Sequence, residues 1–313
     1  MRGRDGLWQL LPVFAVLAGL CPQARSEACI GVVPSGNSAF WQQVEVGAQQ
    51  AAGELGVEVY YRGPLREGGV AAQLQTIERI LARGCKALVI APSGEEIGRR
   101  VGELAASGIP TIYIDRDLAG GAALGLVATD NYAAGLQAGR HMAKLLNGRG
   151  RVALLRLRPG LHSTGERERG FLQGTQAGGV TVTIDEYVGD DSQLAMRILG
   201  DRLGQFDGLF TPNSTSSRAV LVAMRRLQQA GQRVHVGFDG DDVLLEALAA
   251  GHIHALFIQQ PRVIGYQGVK QAHQAMLAGR GERAVHIALD VRLINRANIN
   301  ELRDTLQSSP AKP

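Results

Sequence analysis

Short apolar runs rich in Val, Ile and Ala alternate along this chain with longer segments whose apolar positions recur every three or four residues. The runs read as strands and the longer segments as amphipathic helices. Strands are predicted over residues 30–33, 57–62, 87–91, 111–114 and 125–128, and a second series over 151–157, 180–188, 208–210, 234–238 and 253–258. Helices are predicted between them, over 40–55, 70–83, 95–107, 133–146, 166–177, 193–203, 216–230, 241–250 and 264–278. Glycines at 56, 84, 108, 231 and 251 follow the last apolar position of a helix, where a left-handed cap is needed. Strict alternation of strand and helix implies parallel sheets covered by helices on both faces. A sheet comfortably uses about five or six strands, so two sheets are expected rather than one wide one. The expected class is α/β, with two doubly wound lobes and a break near Asp130-Asn131. No low-complexity linker marks that break, so the lobes should pack close.

Composition narrows the picture. The 313 residues are 45% hydrophobic and 20% charged, enough to bury sizeable cores. The formal net charge of +4 is reduced further when residues 1–26, with three arginines and one acid, are set aside. That bias is too small to argue for nucleic acid, and no basic stripe supports such a partner. Arg2 and Arg4 precede the apolar stretch LWQLLPVFAVLAGL, and Ala24-Arg25-Ser26 supplies a small-x-small site. Residues 1–26 therefore read as a secretory signal, cleaved near Ser26. The tail from 303 to 313, ending QSSPAKP, reads as poorly ordered.

Beyond the signal two cysteines remain, Cys29 and Cys85, each opening an apolar run. In a parallel sheet these runs could be neighbours. An exported protein permits a disulfide there; two buried thiols fit the sequence equally well.

Ligands of open parallel sheets bind outside the carboxyl ends of the strands, so those ends were read in order. The first strand ends in PSGNSAFW, which places Asn37 and Ser38 in a loop and Phe40 and Trp41 at a helix start. Adjacent rings there could offer a stacking platform for the C–H face of a sugar. The strand IYID ends in Asp115 and Arg116, an acceptor and a donor fork suited to vicinal hydroxyls. Arg167 is expected in the first turn of a helix, a costly place for a cation unless it has a partner. The strand GLF ends in TPNS, with Asn213 at a cap position. Asp239 follows HVGF, and Gln259 follows ALFI ahead of a probable crossing between lobes.

These stretches carry a resemblance. GVVPSGNSAFWQQVEVGAQQAA, IPTIYIDRD, ATDNYAAG, RERGF, LFTPNS, HVGFDGDD and FIQQPRVIGYQGV fall in the order found in type I periplasmic sugar-binding proteins, and the chain resembles the ribose-binding group of that family. The resemblance implies that Phe40 and Trp41 sandwich the sugar and that Asp115 and Arg116 bind its hydroxyls. Arg167, Asn213, Asp239 and Gln259 would supply contacts from the second lobe and hinge. It departs at three positions. Pro34 stands where ribose binders have a hydroxyl residue. Ser38 replaces an amide that Asn37 could supply. Asp190 stands where another aromatic is usual. These changes point away from ribose itself, toward another pentose, a hexose or a polyol. The family's fold implies three crossings, near Asp130, Gln260 and Leu289. The lobes would then be residues 27–130 plus 260–289, and 131–259 plus 290–302.

The function so implied is capture of a monosaccharide or polyol by lobe closure, and delivery to an ABC-type permease by a monomeric periplasmic protein without a cofactor. Presentation of the closed form to a chemoreceptor or sensor kinase is the alternative. A doubly wound enzyme is disfavoured, because the chain has no G-x-G-x-x-G, no phosphate loop and no G-x-S-x-G. His252 and His254 alternate on a predicted strand, but no further acid or cysteine completes a metal set.

Overall fold

The structure is a computed structural model that describes residues 28–66, 68–118, 120–278 and 286–300. The signal and tail expectations fall outside these residues. In chain order the elements are β1 (Cys29–Val33), α1 (Ala39–Leu55), β2 (Glu58–Tyr61), α2 (Val70–Ala82), β3 (Ala87–Ile90), α3 (Glu95–Ala106), β4 (Thr111–Ile114) and β5 (Gly125–Thr129). Then come α4 (Asn131–Leu145), β6 (Arg151–Arg156), α5 (His162–Ala177), β7 (Thr181–Tyr187), α6 (Ser192–Gly200), β8 (Gly208–Phe210), α7 (Ser214–Arg226), β9 (Val234–Phe238), α8 (Asp242–Ala249) and β10 (Ala255–Ile258). The chain closes with α9 (Pro261–Ala278), β11 (His286–Leu289) and β12 (Arg292–Ile294).

Two six-stranded sheets result, ordered β11-β5-β4-β3-β1-β2 and β12-β10-β9-β8-β6-β7. Every pairing is parallel except β10 with β12. Strands β11 and β12 have no counterpart among the predicted ones. They are short edge strands whose alternating exposure gives only a weak apolar signal. Conversely His252 and His254 precede β10 rather than alternating along it.

The chain passes between the sheets three times, after β5, after β10 and after β11. The passages lie side by side. The Asp130 amide donates to Leu289 O at 2.9 Å. Gln260 Nε2 donates to Asp290 O at 2.8 Å, and Thr129 Oγ1 to Gln259 Oε1 at 2.8 Å.

Each lobe packs one helix pair with almost no side chain between. A Cβ on Gly47 of α1 would lie 1.9 Å from Arg262 O of α9, and one on Gly135 of α4 would lie 2.0 Å from Arg167 O of α5. Glycine is required at both for the backbones to approach. Cys29 and Cys85 are joined as a disulfide with Cα atoms 4.3 Å apart, between β1 and the turn entering β3. Both half-cystines are buried beside Ile77 and Ile80.

Candidate ligand site

The site is assembled at the carboxyl ends of the strands, where the two sheets face each other across the crossings. Asp115 follows β4 and Asp239 follows β9, each at the third strand from the edge of its sheet. Both have left-handed backbone, with φ of 65° and 63°. Few side chains other than Asn and Asp tolerate that conformation, and its cost is commonly met where function demands it.

Asp115 is 7% exposed and accepts from Arg116 Nε at 3.0 Å. Asp239 Oδ1 accepts from Gln259 Nε2 at 2.7 Å, and its Oδ2 accepts from the Ser214 amide at 3.1 Å. Gln259, also 7% exposed, is thereby held between Thr129 of one lobe and Asp239 of the other. Asn213 caps α7: its Oδ1 accepts from the Ser216 amide at 3.0 Å and from Ser216 Oγ at 2.8 Å. Capping fixes the amide's orientation and uses only its oxygen in those bonds.

Arg167 is the centre of the arrangement. It is 3% exposed, donates through Nε to Asn131 Oδ1 at 2.8 Å and through Nη1 to Pro212 O at 2.9 Å, and stacks 4.3 Å over the Phe238 ring. Burial pulls its guanidinium below its ordinary pKa; Asp239 and then Asp115 oppose that pull, while Arg116 adds to it. Charges from both lobes therefore act on one another within a single cluster, in which Asp115 and Arg167 are buried and Arg116 and Asp239 half-buried. Asp115, Asp239, Arg116 and Arg167 sum to zero formal charge, and Glu168, which also acts on Arg167, is paired with Arg156 at 2.5 Å. Helix α5 starts at His162, so Arg167 lies in the second turn rather than the first, which corrects the argument from the helix terminus. Its partner requirement comes from burial instead.

The aromatic pair also needs correction. Trp41 is 2% exposed and packs in the core with Val32 and Val44, so it offers no open platform. Because α1 begins at Ala39, residues 40 and 41 point about 100° apart around the helix. Phe40 is half-buried and lines a cavity between the lobes, while Trp41 meets it edge to face, 4.9 Å between centroids. Trp41 is a support for Phe40. Asp190 is exposed at the turn after β7, and the neighbouring Asp191 caps α6 by accepting from the Gln193 and Leu194 amides. No bond links Asp190 to the cluster. Asn37 is exposed, and Ser38 starts α1 without a side-chain capping bond.

Sequence reasoning missed the supports. Gln73, fully buried on α2, donates to Pro34 O and Ala91 O and accepts from the Ser93 amide, tying together the loops after β1 and β3. A lone glutamine on a helix gives no signal of this. Asn131, the first residue of α4, orients Arg167 through its side-chain oxygen, which a helix-start asparagine does not announce in sequence. No group of three or more metal-ligating side chains occurs among the described residues.

Two closed α/β lobes with a polar cleft across three crossings define a solute-binding class. Residues 30–281 match the periplasmic binding protein domain family, and the chain belongs to that family. It is 30% identical over 285 residues to the ribose import binding protein RbsB of Haemophilus influenzae, covering 88% of this chain and 96% of that protein. Against RbsB of Escherichia coli the identity is 27%, over 91% and 96% of the two chains. Among solved structures, the periplasmic component of an ABC-type sugar transport system from Hahella chejuensis is 36% identical, with a TM-score of 0.76 over 85% of this chain and 99% of that one. A carbohydrate transporter solute-binding protein from Agrobacterium radiobacter, in complex with D-arabinose, is 27% identical with a TM-score of 0.79 over 90% and 99%. The family is one of periplasmic binding proteins, and its members act by binding rather than by catalysis.

Proposed function

We propose that this chain captures a neutral monosaccharide or polyol in the periplasm and delivers it to an ABC-type permease. The observation that carries the reading is the cluster of buried Asp115 and Arg167 with half-buried Arg116 and Asp239, which has charged groups from both lobes and no net formal charge. A neutral polyhydroxy ligand can accept from the guanidinia and donate to the carboxylates without upsetting that balance. A sugar acid or phosphate would bring an uncompensated charge into a desolvated site, at a large cost. Phe40 would cover one face of the ring, with Asn213 and Gln259 supplying amide contacts and Asn37 and Ser38 lying at the rim.

The lobes are residues 27–130 plus 260–289, and 131–259 plus 290–302. Neither alone surrounds the solute, so ligand shifts the open–closed equilibrium by its differential affinity for the closed form. The protein acts as a monomer, exported with cleavage near Ser26, and has no nucleic-acid partner. Ribose, arabinose and similar sugars named for its relatives support the ligand class.

The test is a fluorescence titration of the chain from residue 27 onward with a panel of pentoses, hexoses and polyols. Trp41 is the only tryptophan beyond Trp8 and sits against Phe40. A saturable change with at least one neutral sugar is expected. Silence toward all of them, with a response to a nucleotide cofactor, would overturn the reading.

A further inference from the structure

Beside the charged cluster lies a cavity of 380 Å³ lined by Asp239 of that cluster and by Ser38, Phe40 and Gln259 of the proposed site, but not by Asp115, Arg116 or Arg167. Its walls are largely apolar: Phe40 from α1, Leu245 from α8, and Ile258, Pro261 and Val263 around the second crossing. Apolar cavities of about 150 Å³ hold a benzene ring in other proteins. This one therefore has room for a ring-sized group in addition to the contacts it shares with the cluster.

Gln43 lies one turn along α1 from Phe40 and also lines the cavity. Its Oε1 is buried and has no hydrogen-bond partner among the described residues. The lining also carries charged side chains: Arg218, tied to Asp241 at 2.8 Å, with Asp239, Asp242, Arg262 and the exposed Arg292.

We infer that this cavity is a second compartment of the ligand site, receiving the apolar substituent of a glycoside whose sugar occupies the charged cluster. The sugar's ring packs against Phe40 from the cluster side. The substituent passes Asp239 and Gln259 into the space between Leu245, Ile258 and Val263. The inference rests on the sugar-binding reading above and narrows its ligand class from free sugars to sugars bearing an apolar group.

The experiment is calorimetric titration of the chain from residue 27 onward with D-ribose, D-arabinose, D-xylose and D-galactose, and with the phenyl glycoside of each. For at least one pair the glycoside is expected to bind about tenfold tighter than its free sugar, as burial of a ring allows. Val263→Phe, which fills the compartment from α9, should abolish that advantage and leave free-sugar affinity within about threefold. Ala39→Phe, from the exposed start of α1, serves as a second filling variant if Val263→Phe is not folded. Free sugars that bind while no glycoside binds better would overturn the inference and leave the sugar reading standing. An advantage that survives filling would also overturn it. If neither sugars nor glycosides bind, the sugar reading itself fails and the compartment falls with it.

Discussion

Asp115 and Asp239 hold the same place in the two lobes, yet they are supported differently. Both end the third strand of their sheet, both have left-handed backbone, and the amide of each donates to the adjacent strand, to Val127 O at 3.0 Å and Phe257 O at 2.9 Å. The backbone solution is duplicated. The side-chain solution is not: Asp239 is held by Gln259 and the Ser214 amide, groups of its own sheet end and the hinge, whereas Asp115 takes the guanidinium of its neighbour Arg116. The second lobe thus presents an acid already oriented by the hinge, and the first lobe presents an acid–arginine unit. Arg167 is where the two meet.

The strongest way to break this comparison is to remove Arg167. Arg167→Ala deletes two hydrogen bonds and a ring contact, and it leaves Asp239 and Asp115 without the buried cation that acts on both. Each hydrogen bond to a charged group contributes about 1.5–3 kcal/mol. Loss of detectable ligand binding is expected, with a lowered urea midpoint for the second lobe. Retained affinity would show that the cluster is not the site.

Removing the acids separates the lobes. Asp115→Ala should weaken ligand binding by about 1.5–3 kcal/mol, the range for a hydrogen bond to a charged group. Asp239→Ala should weaken binding comparably and also reduce stability without ligand, because Gln259 Nε2 and the Ser214 amide lose their acceptor. Glycine at either position should recover stability relative to alanine, since the left-handed backbone is no longer strained, while affinity stays low. An unchanged ligand-free stability in Asp239→Ala, by urea denaturation, would refute that support.

The strand ends were legible because the signal is local: an apolar run followed by a charge or amide places Asp115, Arg116, Asp239 and Gln259 with no knowledge of packing. Trp41 was misjudged because the first residue of α1 decides which of two adjacent rings faces the cleft, and a one-residue error turns the helix by about 100°. Asp190 stands outside the stretches that carry the resemblance, and the structure leaves it exposed. The edge strands β11 and β12 were invisible because half-exposed three- and four-residue strands lack the apolar run that betrays a central one. The network around Gln73 joins residues distant in sequence, which periodicity does not report.

The glycine contacts sharpen the comparison further. Gly47→Ala and Gly135→Ala each drive a methyl group into a backbone carbonyl at about the same distance. Overpacking of this kind costs about 1–3 kcal/mol. Stability should fall in both. Gly135, however, rests on the carbonyl of Arg167 itself, so only Gly135→Ala should also weaken ligand binding in proportion to the shift of α5. Gly47 rests on Arg262, outside the charged cluster, and its variant should bind sugar as before.

The smallest expected effect lies one step behind the two acids. Counting back from each, Thr111 of β4 corresponds to His235 of β9. Thr111 is buried, with its Oγ1 lacking a hydrogen-bond partner among the described residues; His235 is also buried, with Nε2 3.0 Å from Thr211 Oγ1 and its amide donating to His254 Nδ1. Burial, and then the nearby His254, push the His235 pKa down to about 3. Burial, and then Arg296, also lower that of His254. Between that value and the ordinary one of about 6.5, the unfolded chain binds the proton and the folded chain does not. Stability contributed by neutral His235 is therefore complete above about pH 6.5 and is lost as pH falls toward about 3, at up to about 1.4 kcal/mol per pH unit. Thr111 does not titrate, so the corresponding position of the first lobe loses no stability in this range. His235→Gln should flatten the fall in urea-denaturation stability between pH 6.5 and 5, where carboxylates have scarcely begun to protonate, while Thr111→Val should leave the slope as it is. An unchanged slope in His235→Gln would remove this last difference between the lobes.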